Sequence, residues 1–313
     1  MKINLKSILS RRRWLTGASG FCAISLAGDD SKILAQDTPA TLKRAKSPKM
    51  IPKGLRVFTC GHSFHVWAAP MIADMAAAAG IMDHQVAGIS SIGGSRVIQH
   101  WDMDEEKNQA RRLLKQGEID VLTLSPIWLP DEGIEKFAKL GFENNADIRI
   151  TVQEYWLPND AYNPVYPLET KKVVDHNAAT IPELRKQNDL YRHDIEEHVR
   201  ELNRQFGKTV LYVVPVGNAT VALREKIVAH KVPGLKVQWR LFTDDWGHPT
   251  APLKVLAAYC HYAVIYRQSP IGLPMPPVLE QNKEFAYPAL NRLLQELAWE
   301  AVVQNPMSGC LAD

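Results

Sequence analysis

Five short apolar runs, residues 55–60, 86–89, 121–124, 148–152 and 210–214, recur along the chain with helical patterns between them. Runs this short that are apolar throughout, instead of alternating apolar with polar, match strands buried on both faces, as in a parallel sheet. Parallel neighbours need a crossover of a dozen residues or more, usually a helix. Residues 67–79 ended by Gly80, 105–115, and 131–140 ended by Gly141 have that length and character. The expected fold is α/β, a three-layer α/β/α sandwich around a central five-stranded parallel sheet.

Beyond the fourth run the rhythm breaks. Residues 155–188 hold Pro158, Pro164, Pro167 and Pro182 among Trp156, Tyr162 and Tyr166, and read as a long loop covering a site. A helix is expected over 190–206, where Leu190, Ile195, Val199, Leu202 and Phe206 form one apolar stripe. Further helices are expected over 253–262 and 284–303, the last packing on the sheet.

The front of the chain belongs to a different kind of segment. Ser10-Arg11-Arg12-Arg13-Trp14-Leu15 leads into a weakly apolar stretch that Gly17 and Gly20 interrupt, the pattern of a twin-arginine export signal. That stretch is shorter than the roughly 20 residues a spanning helix needs. Residues 1–36 are expected to be the signal, 37–53 a linker, and 54–313 a single domain that is periplasmic or secreted, with no stable membrane insertion after processing. The signal carries six basic and two acidic residues, so taking its +4 from the whole chain's +3 leaves a formal charge of −1. That balance argues against a nucleic-acid partner. Outside the signal the cysteines are Cys60, Cys260 and Cys310, an odd number that allows one disulfide at most. Cys60 ends an apolar run and should be buried; a bridge, if formed, would join Cys260 to Cys310.

In open parallel sheets ligands bind beyond the carboxyl ends of the strands. Ser63 lies there, after a turn that Gly61 makes sharp, with its hydroxyl and backbone N–H aimed at one region. His248 can serve as the base that takes and returns the hydroxyl proton, and Asp245, three residues before it, can orient the ring. Asp244 is the rival orienting acid. The loop Ser90-Ser91-Ile92-Gly93-Gly94-Ser95 follows the second run and offers closely approaching amides, Gly94 first and Gly93 as the alternate.

With Gly61-His62-Ser63 in the place of a Gly-Asp-Ser block, Asp245-Trp246-Gly247-His248 in the place of Asp-x-x-His, and Gly93-Gly94 after the second strand, the chain resembles the SGNH hydrolases, or GDSL-like lipases and esterases. The resemblance spans residues 55–265 and implies a flavodoxin-like fold and a serine esterase. Ser63 would be the nucleophile, His248 the base and Asp245 its orienting acid, with an oxyanion hole from Ser63 and Gly94. Two departures stand out. The family's third block supplies an oxyanion Asn, but here the third run continues into Ser125-Pro126-Ile127-Trp128, leaving Asn218 and Gln153 as candidate substitutes. His62 replaces the Asp beside the nucleophile, where it would touch substrate together with Trp128, Gln153 and Trp246.

The expected substrate is a small-molecule or carbohydrate ester, such as a carbohydrate O-acetyl ester, because Trp67, Trp101, Trp128, Trp156 and Trp246 near loops could stack on sugars. The competing reading is a catalytically inactive carbohydrate-binding protein of the same fold. No cofactor or metal is expected: no paired-histidine helix motif carries a nearby glutamate, and no glycine-rich loop ends in Gly-Lys-Ser/Thr.

Overall fold

Each apolar run is a strand: β1 Arg56–Gly61, β2 Gln85–Ser91, β3 Val121–Leu124, β4 Arg149–Glu154 and β5 Leu211–Pro215. They pair in the order β2-β1-β3-β4-β5, all parallel. The computed structural model describes residues 52–162 and 173–310. The expected signal, nearly all of the expected linker and the middle of the proline-rich loop lie outside the described residues.

The helices are α1 Ala68–Ala78, α2 Val97–Trp101, α3 Gln109–Lys115, α4 Glu132–Asn144, α5 Ile181–Phe206, α6 Val216–Val228, α7 Ala251–Tyr266, α8 Pro277–Glu280 and α9 Pro288–Gln304. Because strand side chains alternate between faces, Phe58, Cys60, Leu122, Leu124, Ile150, Val152, Leu211 and Val213 share one core with α2 to α5. Val57, Val121 and Val214 point the other way, into a core shared with α1, α6, α7 and α9. This is the α/β/α sandwich expected from the sequence, with the reversal of strand order between β1 and β3 that creates a crevice at the carboxyl ends.

Several boundaries differ from the sequence expectation. Helix α4 runs through Gly141, which closes no helix; it lets the helix lie against Ile148, where an added Cβ would come within 2.7 Å of that side chain. Helix α5 starts at Ile181, inside the stretch expected to be loop. Thr180 caps it by accepting from the Glu183 amide, and Pro182 occupies the first turn, where no amide is needed. Helix α6 was not expected, since Gly217, Thr220 and several valines lower its intrinsic helicity. Cys260 and Cys310 are free and buried, as is Cys60, so the suggested bridge is absent. Among the described residues no helix is long and apolar enough to cross a membrane.

Candidate active site

Strand β1 ends at Gly61, and the chain turns at once into a helical corner. The His62 carbonyl accepts from the amides of His65 (2.9 Å) and Val66 (3.1 Å), which leads directly into α1. An added Cβ at Gly61 would lie 2.4 Å from the His65 ring, so the tight corner requires glycine. Ser63 sits exposed at the apex, its carbonyl held by the Trp67 indole N–H at 2.8 Å. The Ser63 amide has no protein acceptor among the described residues and is free to donate outward.

The second loop comes from 185 residues away in sequence and is closed like a small hairpin. Phe242 bridges Pro249, the Thr243 amide donates to the His248 carbonyl at 2.8 Å, and Gly247 takes the left-handed φ of 89° that the turn requires. His248 Nε2 lies 2.8 Å from Ser63 Oγ. Its Nδ1 lies 2.6 Å from Oδ2 of Asp244. The other oxygen of Asp244 accepts from the Gly247 and His248 amides, each at 3.1 Å. Burial pushes the Asp244 carboxyl up, but hydrogen bonds from the His248 amide and ring, the nearby imidazole and the Gly247 amide outweigh it, and the net shift is downward.

The carboxylate that the fold sets beside the His248 ring is Asp244, where Asp245 was expected. Spacing along the chain favoured the residue three before the base, whereas the closed loop sets residue 244 beside residue 248 and leaves 245 at the tip. Asp245 is half-buried and makes no hydrogen bond or ion pair among the described residues.

Aromatic packing ties the two loops together. Phe64 stacks on Trp156 (4.8 Å between centroids, 10° between planes) and meets the His248 ring edge-on at 5.0 Å. The Trp156 indole N–H donates to the Gly247 carbonyl at 2.8 Å. Trp156 is thus a brace buried in the core and presents no sugar platform. Behind Asp244 lies a second histidine–aspartate pair. His176 Nδ1 is 2.8 Å from Asp160 Oδ2, and its Nε2 is 3.1 Å from the Asp244 backbone carbonyl. Arg224 forks onto both Asp160 oxygens, donates to the His176 carbonyl, and is itself steadied by Gln238. No sequence motif announced this network, because its members come from four separate segments.

Two solved structures are similar to this chain at low identity. One is a DUF4886 family protein from Bacteroides uniformis, 12% identical, with a TM-score of 0.49, covering 80% of this chain and 95% of that one. The other is a candidate GDSL-like lipase from Parabacteroides merdae, 16% identical, with a TM-score of 0.38, covering 69% of this chain and 97% of that one. No family model matches the chain, and neither does any curated protein.

The remaining predicted site residues divide into two groups. The Gly93-Gly94 loop is adjacent to the Ser63 corner, since the Ile92 amide donates to the Gly61 carbonyl at 3.1 Å. Its far end is fixed by Asp131, which accepts from the Val97 and Ile98 amides. Both glycines are exposed, and Gly94 holds a left-handed φ of 61°. Trp246 is half-buried in the loop that carries His248, and Trp67 is half-buried beside Ser63.

His62, Gln153, Trp128 and Asn218 are not at the substrate surface, and their assigned roles are corrected. His62 is buried, with Nδ1 accepting from the Phe64 amide, so its Nε2–H donates to Ser125 Oγ at 3.2 Å. Burial first, then the neighbouring His100, lowers its pKa to about 3, although the Ser125 backbone opposes the shift. A neutral ring therefore stands where the family pattern has a carboxylate. Gln153 is wholly buried: its amide nitrogen donates to the Phe64 carbonyl and Ser125 Oγ, and its oxygen faces His261 Nε2 at 2.7 Å. Ser125, in the place of the expected Asn block, is consumed by the same network. Trp128 is buried in the core. Asn218 lies in the first turn of α6, its oxygen accepting from Asn188 at 2.9 Å, and it faces the cleft between α5, α6 and α9. Among the described residues, no group of three or more His, Cys, Asp or Glu is arranged to hold a metal ion.

Proposed function

We propose that the chain is a serine hydrolase that cleaves an ester through an acyl-enzyme. The observation that carries this reading is the continuous line from Ser63 Oγ to His248 Nε2 and from His248 Nδ1 to Asp244, at 2.8 and 2.6 Å, with the hydroxyl exposed. As Oγ attacks the ester carbonyl, His248 takes its proton and Asp244 stabilises the imidazolium. The tetrahedral oxyanion is met by the Ser63 amide and an amide of the Gly93-Gly94 loop, Gly94 first, each worth roughly 3 kcal/mol in a dry site. His248 then protonates the departing alcohol, and a water activated by the same ring releases the acid.

The leaving group is proposed to be a small alcohol or sugar hydroxyl, the acyl group an acetyl. Trp67 and Trp246, half-exposed on the two loops that carry Ser63 and His248, support a carbohydrate-sized partner at this mouth. The mature protein is proposed to act outside the cytoplasm after twin-arginine export, which replacement of Arg11 and Arg12 by Lys should block.

Incubation with a chromogenic acetate ester tests the reading. Turnover by the wild type that disappears in Ser63→Ala supports it, together with labelling of Ser63 by a fluorophosphonate. A wild type that binds acetylated sugars with neither turnover nor labelling would instead be the inactive binding protein, a reading favoured by the absence of a side-chain amide from the third-strand end.

A further inference from the structure

The opposite edge of the sheet, where the strands begin, carries a second built feature. Arg56 and Arg149 open β1 and β4 at this edge, and their surroundings differ sharply. Arg56 is gripped by Asp120, with Nη2 to Oδ1 at 2.8 Å and Nε to Oδ2 at 3.1 Å. Arg149 has no carboxylate or other side-chain acceptor among the described residues, although it is only partly exposed. It lines a depression of about 480 Å³ together with Lys53, Lys208, Arg267, Tyr212 and Tyr266.

The charges in this depression do not balance. The four cations face one carboxylate of the lining, Asp147, which is fully exposed and 3.9 Å from Lys208. The carbonyl end of α7, where Arg267 stands, offsets about half an elementary charge more. Arg267 spends one nitrogen on the Tyr212 hydroxyl at 3.2 Å and covers that ring at 5.4 Å, which fixes the direction of its guanidinium. Burial, and then the proximity of Arg267, lower the pKa of Arg149. A partly buried charge is ordinarily paired, and Arg149 shares its depression with the exposed Arg267 and no paired acid among the described residues, which leaves positive charge for an anion to neutralise.

We propose that this depression is a binding site for a compact oxyanion of the phosphate class, gripped by Arg149 and Arg267 and rimmed by Lys53 and Lys208. Planar guanidinium forks match phosphate oxygens two at a time, and the flexible ammonium groups supply charge at the mouth. The site shares no residue with the Ser63 centre and does not depend on the hydrolase reading.

The test is calorimetric titration of inorganic phosphate into the full chain, with ionic strength held constant by chloride. Saturable binding is expected in the wild type and in Ser63→Ala alike, at least tenfold weaker in Arg149→Met and in Arg267→Met. Arg149→Lys should fall between them, because it keeps the charge and loses the fork. Circular dichroism and a cooperative thermal transition matching the wild type report that the Arg149→Met protein is folded. No saturable heat, or equal affinity in the wild type and the two methionine variants, overturns the proposal. So does binding that emerges only when residues 311–313 are removed, since the pocket would then be occupied by the chain itself.

Discussion

Among the described residues two histidine–aspartate pairs have almost the same geometry, Asp244–His248 at 2.6 Å and Asp160–His176 at 2.8 Å, placed one behind the other. Their second partners differ. His248 turns its free nitrogen to a hydroxyl, which both gives and accepts a proton, and about a third of its side chain is exposed. His176 is wholly buried and turns its free nitrogen to a backbone carbonyl, which only accepts. The first pair can therefore move a proton, and the second can only hold a backbone in place. The same two residue types give a base or a clamp according to the third group.

The sharpest way to break this comparison is at the acid. Asp244→Asn should lower kcat on the order of 10³–10⁴-fold, by favouring the wrong tautomer of His248. Asp245→Asn should leave it within a few-fold. Steady-state kinetics on an acetate ester would read both, and equal losses would remove Asp244 from its role. The clamp should respond differently: Asp160→Asn strands Arg224 in a buried site, so urea unfolding should show a loss of about 3–5 kcal/mol. Slower phosphonate labelling is expected alongside.

Between the pairs, Trp156→Phe keeps the stack on Phe64 but deletes the hydrogen bond to Gly247, at a cost of about 1 kcal/mol in thermal or chemical unfolding. A pH-dependent effect concerns Glu154, a buried carboxylate at the end of β4 that makes no ion pair among the described residues. Burial, opposed by the Asn188 hydrogen bond, raises its pKa from 4.5 to about 8. Between those values the folded protein keeps a proton that the unfolded chain has released, so this contribution to stability falls as pH rises from about 4.5 to 8. Glu154→Gln should flatten that part of the profile, read as the change in Tm between pH 5 and pH 8.

The layers of the fold were legible because each strand is a compact apolar run bounded by breakers, a pattern that tertiary context reinforces. The start of α5 was also written in the chain, as Thr180-Ile181-Pro182-Glu183, but the proline reads as an interruption unless the cap before it is noticed. Helix α6 was not legible. Gly217 is there because its Cα packs against Asn188 and Glu154, a contact between distant segments that no local pattern records. At the site, Ser63 and His248 stood out through their positions after glycine turns. The orienting acid did not, because a left-handed Gly247 closes the loop and spacing along the chain ceases to measure distance. The burial of Gln153 and His62 was equally hidden, since a polar residue past a strand end looks the same whether it faces solvent or supports the corner from beneath.

Helix α7 is buried on nearly every side, between the sheet and α9. It is translated before α9, the helix that completes its cover, so during synthesis its apolar flank stays uncovered until α9 has followed it out of the ribosome. The nascent chain thus carries a sticky interval in which chaperone capture competes with docking of α9.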